Sequence, residues 1–314
     1  MSAPAGAAVI GGGLFGRALA RRLAQSGPIL LHNPGPAVPA APGEPPMPEL
    51  VRASGDLGEA ARCPVLFLAI PAAVARPVCR RLGEHVAGDQ ILVHTARGLE
   101  PETGRTVTAI VEEETCLRKL AVLGGALRAE SLDAGRWVAA VVASRFDEVT
   151  ARATALLGGP TFRVLPARDV PGVELCGAYR SICALGIGVT DALDLGPTVR
   201  ALVITEALRE ASAIAARLGA DPLTLTGYAG LGDLVATAVN PAGVEREAGA
   251  RLAAGAAGAA ELAPEAAAAV HGALVLARGL GVEAPVAASL GRLLDEGGSA
   301  EGVLRELFAP GGGT

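Results

Sequence analysis

Basic blocks, long apolar runs and paired cysteines are all missing from this sequence, and each absence removes a class of function. The net charge is −5 and no cluster of Lys and Arg stands out, so nucleic acid is not an expected partner. No apolar run approaches the roughly 18 unbroken residues of a membrane helix, so no membrane span is expected. The opening Met1-Ser2-Ala3-Pro4-Ala5-Gly6 has neither a basic start nor a long apolar stretch. No secretory leader is expected, and the expected location is cytoplasmic. The five cysteines, Cys63, Cys79, Cys116, Cys176 and Cys183, are odd in number and form no C-x-x-C. That pattern predicts a reducing compartment and buried thiols. The four histidines show no metal-ligand spacing, and no metal site is expected. His94 ends an apolar strand, where it either faces a ligand edge or makes a buried hydrogen bond; the second is the expectation. Aromatic residues are only 3% of the chain, so alanine and aliphatic side chains must fill the interior. Alanine-rich apolar sequence favours closely packed helices.

What is present begins near the N-terminus. Val9-Ile10-Gly11-Gly12-Gly13-Leu14-Phe15-Gly16 reads G-x-G-x-x-G, with Gly11, Gly13 and Gly16 in the three glycine places. Ala7 to Ile10 is a short apolar strand, and Leu19 and Leu23 after the loop are four apart, as on one helix face. Strand, tight turn and helix together are the context of a dinucleotide fingerprint. Gly11 makes the turn, Gly13 lets the backbone approach a pyrophosphate, and Gly16 lets helix and strand pack closely. The free N–H groups at the helix start then face the phosphates. A carboxylate about 20 residues on would mark NAD, and an arginine there NADP. The second strand, Ile29-Leu30-Leu31-His32, ends at Asn33, and the first carboxylate after the loop is Glu44. The cofactor is therefore NAD or NADP, with the choice open.

At 314 residues, 51% of them hydrophobic, the chain suits two domains of about 150 residues each. Residues 34–48 hold seven prolines and form a loop. Val65-Leu66-Phe67-Leu68-Ala69-Ile70 before Pro71 is a continuous apolar run, as in a strand buried on both faces. A helix follows through Val74, Val78 and Leu82. Further strands are Ile91–His94, Ala121–Gly125, Trp137–Val142 and Phe162–Leu165. Strands alternating with helices predict an α/β domain with a doubly wound, mostly parallel sheet of the Rossmann kind, over residues 1–166. From Asp169 onward only helices are expected, near 170–189, 197–218, 228–238, 244–254, 264–280, 284–294 and 300–308. Residues 167–314 are thus read as an all-α domain. The tail Pro310–Thr314 is expected to fray.

Five stretches in this order resemble the bacterial NAD(P)-dependent glycerol-3-phosphate dehydrogenases. They are the Gly loop; Ala96-Arg97-Gly98-Leu99-Glu100, similar to K-G-[IL]-E; and Asp169–Ser181, similar to D-x-x-G-V-E-L-x-G-A-x-K-N. The others are Thr198–Glu210, similar to N-A-x-A-A-L-I-T-R-G-L-x-E, and Gly227–Thr237, close to G-L-[AS]-G-L-G-D-L-x-x-T. The resemblance spans nearly the whole chain and implies a C-terminal domain like that of 6-phosphogluconate dehydrogenase. It implies hydride transfer between a nicotinamide and dihydroxyacetone phosphate or a related small anion, in glycerophospholipid metabolism. It places the cofactor on Gly11, Gly13, Leu14, Phe15 and Gly16, with Asn33, Pro71, Arg97, Arg128 and Glu265 beside it. Arg180, Asp233, Thr237 and Arg97 are implied as catalytic. Substrate contacts are implied for Arg97, Arg180, Ser181, Asp233 and Arg246. A homodimer is a further expectation.

The departures from the family pattern fall on the chemistry. The lysines of K-G and K-N, which flank the reacting carbonyl in the family, are Arg97 and Arg180 here, and the asparagine is Ser181. The arginine of I-T-R-G is Glu206. The S-R-N-R segment, which grips the substrate phosphate in the family, aligns with Gly243-Val244-Glu245-Arg246, and G-P-S-F-A becomes Gly124–Arg128. Reducing a ketone needs a hydride and a strong donor for the growing alkoxide. An arginine cannot give up its proton, because its pKa exceeds about 12, but it can polarise a carbonyl or clamp an anion. Glu206 and Glu245 either face the cleft, adding negative charge there, or lie on solvated helix faces. Three readings follow: a dehydrogenase of this family, a relative acting on a different small ketone or oxoacid, and a cofactor-binding protein without catalysis.

Overall fold

A computed structural model describes residues 5–35, 40–256 and 258–308. Met1–Pro4, residues 36–39 of the proline-rich loop and the tail expected to fray lie outside the described residues. The chain divides into two compact units, Met1–Ala96 with Val107–Val170, and Arg97–Thr106 with Pro171–Thr314.

Among the described residues the first unit has eight strands: β1 (Ala7–Ile10), β2 (Ile29–His32), β3 (Val51–Ser54), β4 (Val65–Leu68), β5 (Ile91–His94), β6 (Lys119–Gly124), β7 (Val138–Ala143) and β8 (Phe162–Ala167). Between them run α1 (Leu14–Leu23), α2 (Leu57–Ala61), α3 (Ala75–Gly83), α4 (Val107–Glu114), α5 (Ala129–Asp133) and α6 (Asp147–Leu157). The strands form one sheet in the order β3-β2-β1-β4-β5-β6-β7-β8. Among the described strands the β6–β7 pairing is antiparallel and the others are parallel. Alternate residues of the central strands feed two cores, because successive side chains point to opposite faces. Val9, Leu31 and Phe67 pack with Leu19 of α1 and Val149 of α6. Ile10, Leu30 and Leu66 pack with Leu57 of α2, Leu82 of α3 and Ile110 of α4. Two covered faces explain the continuous apolar runs, as in the doubly wound sheet expected. β3 was not expected: it is an edge strand, half-covered, and Arg52 and Ser54 break its apolar pattern.

Among the described residues the second unit has helices and no strand. They are α7 (Val170–Ala192), α8 (Gly196–Leu218), α9 (Pro222–Thr226), α10 (Leu231–Val239), α11 (Val244–Ala253), α12 (Ala259–Leu262), α13 (Pro264–Leu280), α14 (Pro285–Asp295) and α15 (Ala300–Leu307). The single turn α9 was not expected; Asp221 caps it by accepting the Leu223 N–H at 2.9 Å, with Pro222 at its first position. α7 is long and apolar enough to cross a membrane by length and composition, yet 94% of its most apolar window is buried in the fold. α7 and α11 touch backbone to backbone. A Cβ on Gly188 would sit 2.0 Å from the Arg246 carbonyl oxygen, and one on Gly249 would sit 2.0 Å from that of Leu185. This close approach brings the start of α11 against α7. The expectation of buried thiols is corrected at one place: Cys116 is exposed, in the turn before β6.

Candidate functional site

In the first unit, the glycine loop follows β1, whose neighbours β2 and β4 lie on opposite sides. The chain winds outward through β2 and β3, then crosses back to β4. The loop therefore sits at the carboxyl end of the strands at a topological switch, where such sheets bind ligands. Gly11 has φ +123°, and a Cβ there would lie 2.1 Å from the Ala69 carbonyl oxygen. A Cβ on Gly16 would lie 1.9 Å from the Gly11 carbonyl oxygen. These two glycines are demanded by packing. Around Gly13 a Cβ would meet nothing within 4 Å. Gly13 also starts α1 with no side-chain cap. The open space and the uncapped N–H groups fit a dinucleotide pyrophosphate.

Leu14 and Phe15 form the first turn of α1, and Leu14 is exposed. Pro71 lies exposed beyond β4, and Arg128 starts α5 beyond β6. Asn33, beyond β2, lines a cavity of about 310 Å³ with Gly12, Arg17, Ser54 and Gly55. Arg17, which is not among the expected site residues, also lines this cavity. Its place four residues after Gly13, one helical turn on, was the available signal. Its guanidinium donates to the Gly12 carbonyl oxygen at 2.8 Å and to both oxygens of Glu44 at 2.6 Å. Glu44 also accepts from Arg21 at 2.9 Å. The Arg17 hydrogen bonds hold the Glu44 carboxyl down at about 2, against its partial burial. His94 is buried with Nε2 3.0 Å from Thr108 Oγ1, as expected.

The helical unit holds a second cluster. α7 supplies Arg180 and Ser181, α10 supplies Asp233 and Thr237, α11 supplies Glu245, and α13 supplies Glu265. Arg97 joins them from the 97–106 segment. Asp233 and Thr237 are four apart and share the buried face of α10, while Val235 and Val239 are exposed. Arg97 Nη1 is 3.7 Å from Asp233 Oδ2, and its backbone N–H donates to Glu265 at 2.9 Å. Ser181 Oγ donates to the Arg97 carbonyl at 3.1 Å. Arg180, buried, is ion-paired through Nη1 with Glu245. Burial works against the Arg180 cation, but Glu245 and Asp233 outweigh it and hold its pKa above the ordinary arginine value. Burial likewise opposes the Glu245 carboxylate, and Arg180 outweighs it, holding that pKa down. Burial pushes the Glu265 carboxyl up. Two buried polar atoms of the cluster, Arg180 Nε and Thr237 Oγ1, have no protein partner.

Arg97, Arg180, Ser181, Asp233 and Thr237 thus stand together. Glu265 joins this group through the Arg97 backbone. Arg246 faces elsewhere: it pairs with Asp191 and donates to the carbonyls of Ala238 and Asn240. Glu245 lies on a buried face against Arg180, not a solvated one. Glu206 pairs at 2.9 Å with Arg209, which is half-exposed, one turn along α8. Val244 is exposed.

The sequence matches the family description "NAD-dependent glycerol-3-phosphate dehydrogenase N-terminus" over residues 41–150 and its C-terminus counterpart over residues 169–305. It is 36% identical over 254 residues to a glycerol-3-phosphate dehydrogenase [NAD(P)+] of Pseudomonas aeruginosa (strain LESB58), covering 74% of this chain and 72% of that one. The structure is similar to that of glycerol-3-phosphate dehydrogenase from Coxiella burnetii, with a TM-score of 0.90 and 27% identity over 96% of this chain and 98% of that one. It shares its fold with the Plasmodium falciparum glycerol-3-phosphate dehydrogenase, at a TM-score of 0.84 and 15% identity over 98% and 96% of the two chains.

Proposed function

The chain belongs to the NAD-dependent glycerol-3-phosphate dehydrogenase family, and we propose that it is an NAD(P)-dependent oxidoreductase acting on a small ketone–alcohol pair of the dihydroxyacetone phosphate–glycerol 3-phosphate kind. The observation that carries this reading is the buried Arg180 beside Asp233 and Thr237, with Arg180 Nε and Thr237 Oγ1 still open to a ligand. Buried polar atoms almost always have partners, so two orphans in one cluster mark a place for polar ligand atoms.

The cofactor, when bound, supplies or accepts the hydride. Gly11, Gly13, Leu14, Phe15 and Gly16 hold its pyrophosphate, with Asn33, Pro71 and Arg128 at the strand ends; NAD and NADP both remain candidates. Arg180 donates from its guanidinium to the carbonyl oxygen and stabilises the growing alkoxide. It does not give up a proton. The proton passes through Asp233 or a water molecule, and Thr237 Oγ1 orients the substrate hydroxyl. Arg97 is held by Asp233 as a second cation. Ser181 fixes the Arg97 segment. Arg246, engaged by Asp191, takes no part in holding the substrate.

In the same proposal residues 1–166 bind the cofactor and residues 167–314 the substrate, in a cytoplasmic homodimer. The exposed Leu231, Val235 and Val239 of α10 offer apolar surface for the second copy. A second reading, action on a different small ketone or oxoacid, is favoured by Val244 and Glu245, which stand where the family has its phosphate-gripping arginine and asparagine. Oxidation of NADH and NADPH, followed at the nicotinamide absorbance band with dihydroxyacetone phosphate and a panel of small ketones, tests both. No turnover of any ketone would reject the enzyme.

A further inference from the structure

Arg180 and Glu245 come from different helices, 65 residues apart in sequence, and meet inside the cluster. Their side chains are 7% and 12% exposed. An ion pair this buried persists because removing either partner strands the other charge in a poor solvent. Around it the charges balance: Arg97 and Arg180 stand against Asp233 and Glu245, with Glu265 adding a third carboxyl that touches the Arg97 backbone. A phosphate group brings close to two negative charges at neutral pH. It needs surplus positive charge, and here the cluster has none to give. Val244, the neighbour of Glu245, contributes only an exposed aliphatic side chain.

We infer that Glu245 is a specificity-determining residue: its carboxylate is a built-in counter-anion on Arg180 that turns the site away from phosphate-bearing ketones and towards small ketones without the phosphate. This rests on the reading above, in which Arg180 meets the substrate. A guanidinium can serve one carboxylate and still donate elsewhere, because its five N–H groups form a fixed fork. Arg180 keeps Nε free of protein partners while Nη1 serves Glu245. A neutral carbonyl oxygen can take a remaining donor without breaking the pair. A dianion can bind only by competing with Glu245 for Arg180 or by enduring its repulsion.

The test compares dihydroxyacetone with dihydroxyacetone phosphate as substrates for the full-length wild type, Glu245→Gln and Glu245→Asp, and titrates inorganic phosphate into each by calorimetry. The wild type is expected to favour the phosphorylated ketone by no more than about tenfold in kcat/KM. Glu245→Gln should raise that preference, and tighten phosphate binding, by roughly tenfold to a hundredfold, the worth of one charge-assisted contact. Glu245→Asp keeps the charge and should keep the wild-type preference. A merely structural role for Glu245 would lower both substrates together and leave their ratio alone, and that result overturns the inference. So does a wild-type preference for the phosphorylated ketone above about a thousandfold, a result that needs no variant to fold. If no protein reduces either ketone yet Glu245→Gln binds phosphate more tightly, the oxidoreductase reading falls and the counter-anion assignment stands.

Discussion

Ser181 Oγ hydrogen-bonds the carbonyl oxygen of Arg97 at 3.1 Å, tying the 97–106 segment to α7 within the helical unit. Ser181 is fully buried, so its hydroxyl has no water to fall back on. Ser181→Ala should cost about 1 kcal/mol, the net worth of a buried neutral hydrogen bond. For a unit of about 150 residues, such as the helical one, that is a fall of roughly 2–4 °C in Tm. The same change should raise KM for the ketone, because Arg97 loses a support. Calorimetric melting and steady-state kinetics check both, and an unchanged Tm with unchanged KM would show the contact to be idle.

The glycine loop separates folding from binding. Gly13→Val places a side chain where a Cβ meets no atom within 4 Å, so the fold should tolerate it. The cofactor should not, because the new side chain fills the space its phosphates need. Gly16→Ala does the reverse: its Cβ falls 1.9 Å from a backbone oxygen, and the fold should lose roughly 3 kcal/mol or more. Calorimetric titration with NADH and NADPH, beside thermal melts, distinguishes the two. Equal affinity in wild type and Gly13→Val would move the pyrophosphate away from this loop.

Glu210 predicts how stability varies with pH. Its carboxylate is buried, accepting from Tyr179 Oη at 2.7 Å and from the Val286 N–H at the start of α14 at 2.6 Å. Burial pushes its pKa from 4.5 up to about 7, against the help of those donors. A carboxyl whose folded pKa is raised favours the fold when protonated. Its stabilising contribution is complete below about pH 4.5 and is lost as pH rises through 7, amounting to roughly 3 kcal/mol. Denaturation midpoints should therefore fall between pH 5 and 8, and Glu210→Gln should flatten that slope. A slope unchanged in the variant would assign the effect to other groups.

What sequence could show follows from which contacts are local. β4 and β5 were legible because both faces are covered and every residue but His94 is apolar, and the loop at Gly11–Gly16 because a turn, a close approach and a helix start fall within six positions. β3 was not, because an edge strand may keep Arg52 and Ser54. Arg97, Arg180, Asp233 and Thr237, singled out by the aligned motifs, stand in one cluster, because Arg180, Asp233 and Thr237 lie on buried helix faces and Arg97 reaches Asp233. The partner of Arg180 was out of reach. Glu245 and Arg246 are neighbours in sequence, yet one turns inward to Arg180 and the other to Asp191. That choice is made by the crossing of α7 and α11 at Gly188 and Gly249, a tertiary fact with no local signature. Arg17 lies between the two cases: its place one turn after Gly13 and its tie to Gly12 are local, while its pairing with Glu44 is tertiary.

The last prediction concerns the phosphorylated substrate. Arginines replace the two family lysines, and Val244 replaces the family's phosphate arginine. One lost charge-assisted contact costs about 1.5–3 kcal/mol, or roughly tenfold to a hundredfold in affinity. A lost general acid costs about a hundredfold to ten-thousandfold in rate. Weak turnover of dihydroxyacetone phosphate is therefore expected from the wild type. The combined variant Arg180→Lys, Ser181→Asn, Val244→Arg and Glu245→Asn should raise it. The changes are made together so that the general acid and the phosphate contact return at once: restoring a lysine alone leaves it neutralised by Glu245, and removing Glu245 alone, which relieves the repulsion of phosphate, restores no general acid. Glu206 can stay as it is, because it already pairs with Arg209 along α8. NADH and NADPH oxidation with dihydroxyacetone phosphate, wild type against the fourfold variant, is the measurement. A wild-type kcat/KM in the ordinary enzyme range of about 10⁴–10⁸ M⁻¹s⁻¹ would mean that Arg97 and Arg180 do the work of both lysines despite Glu245.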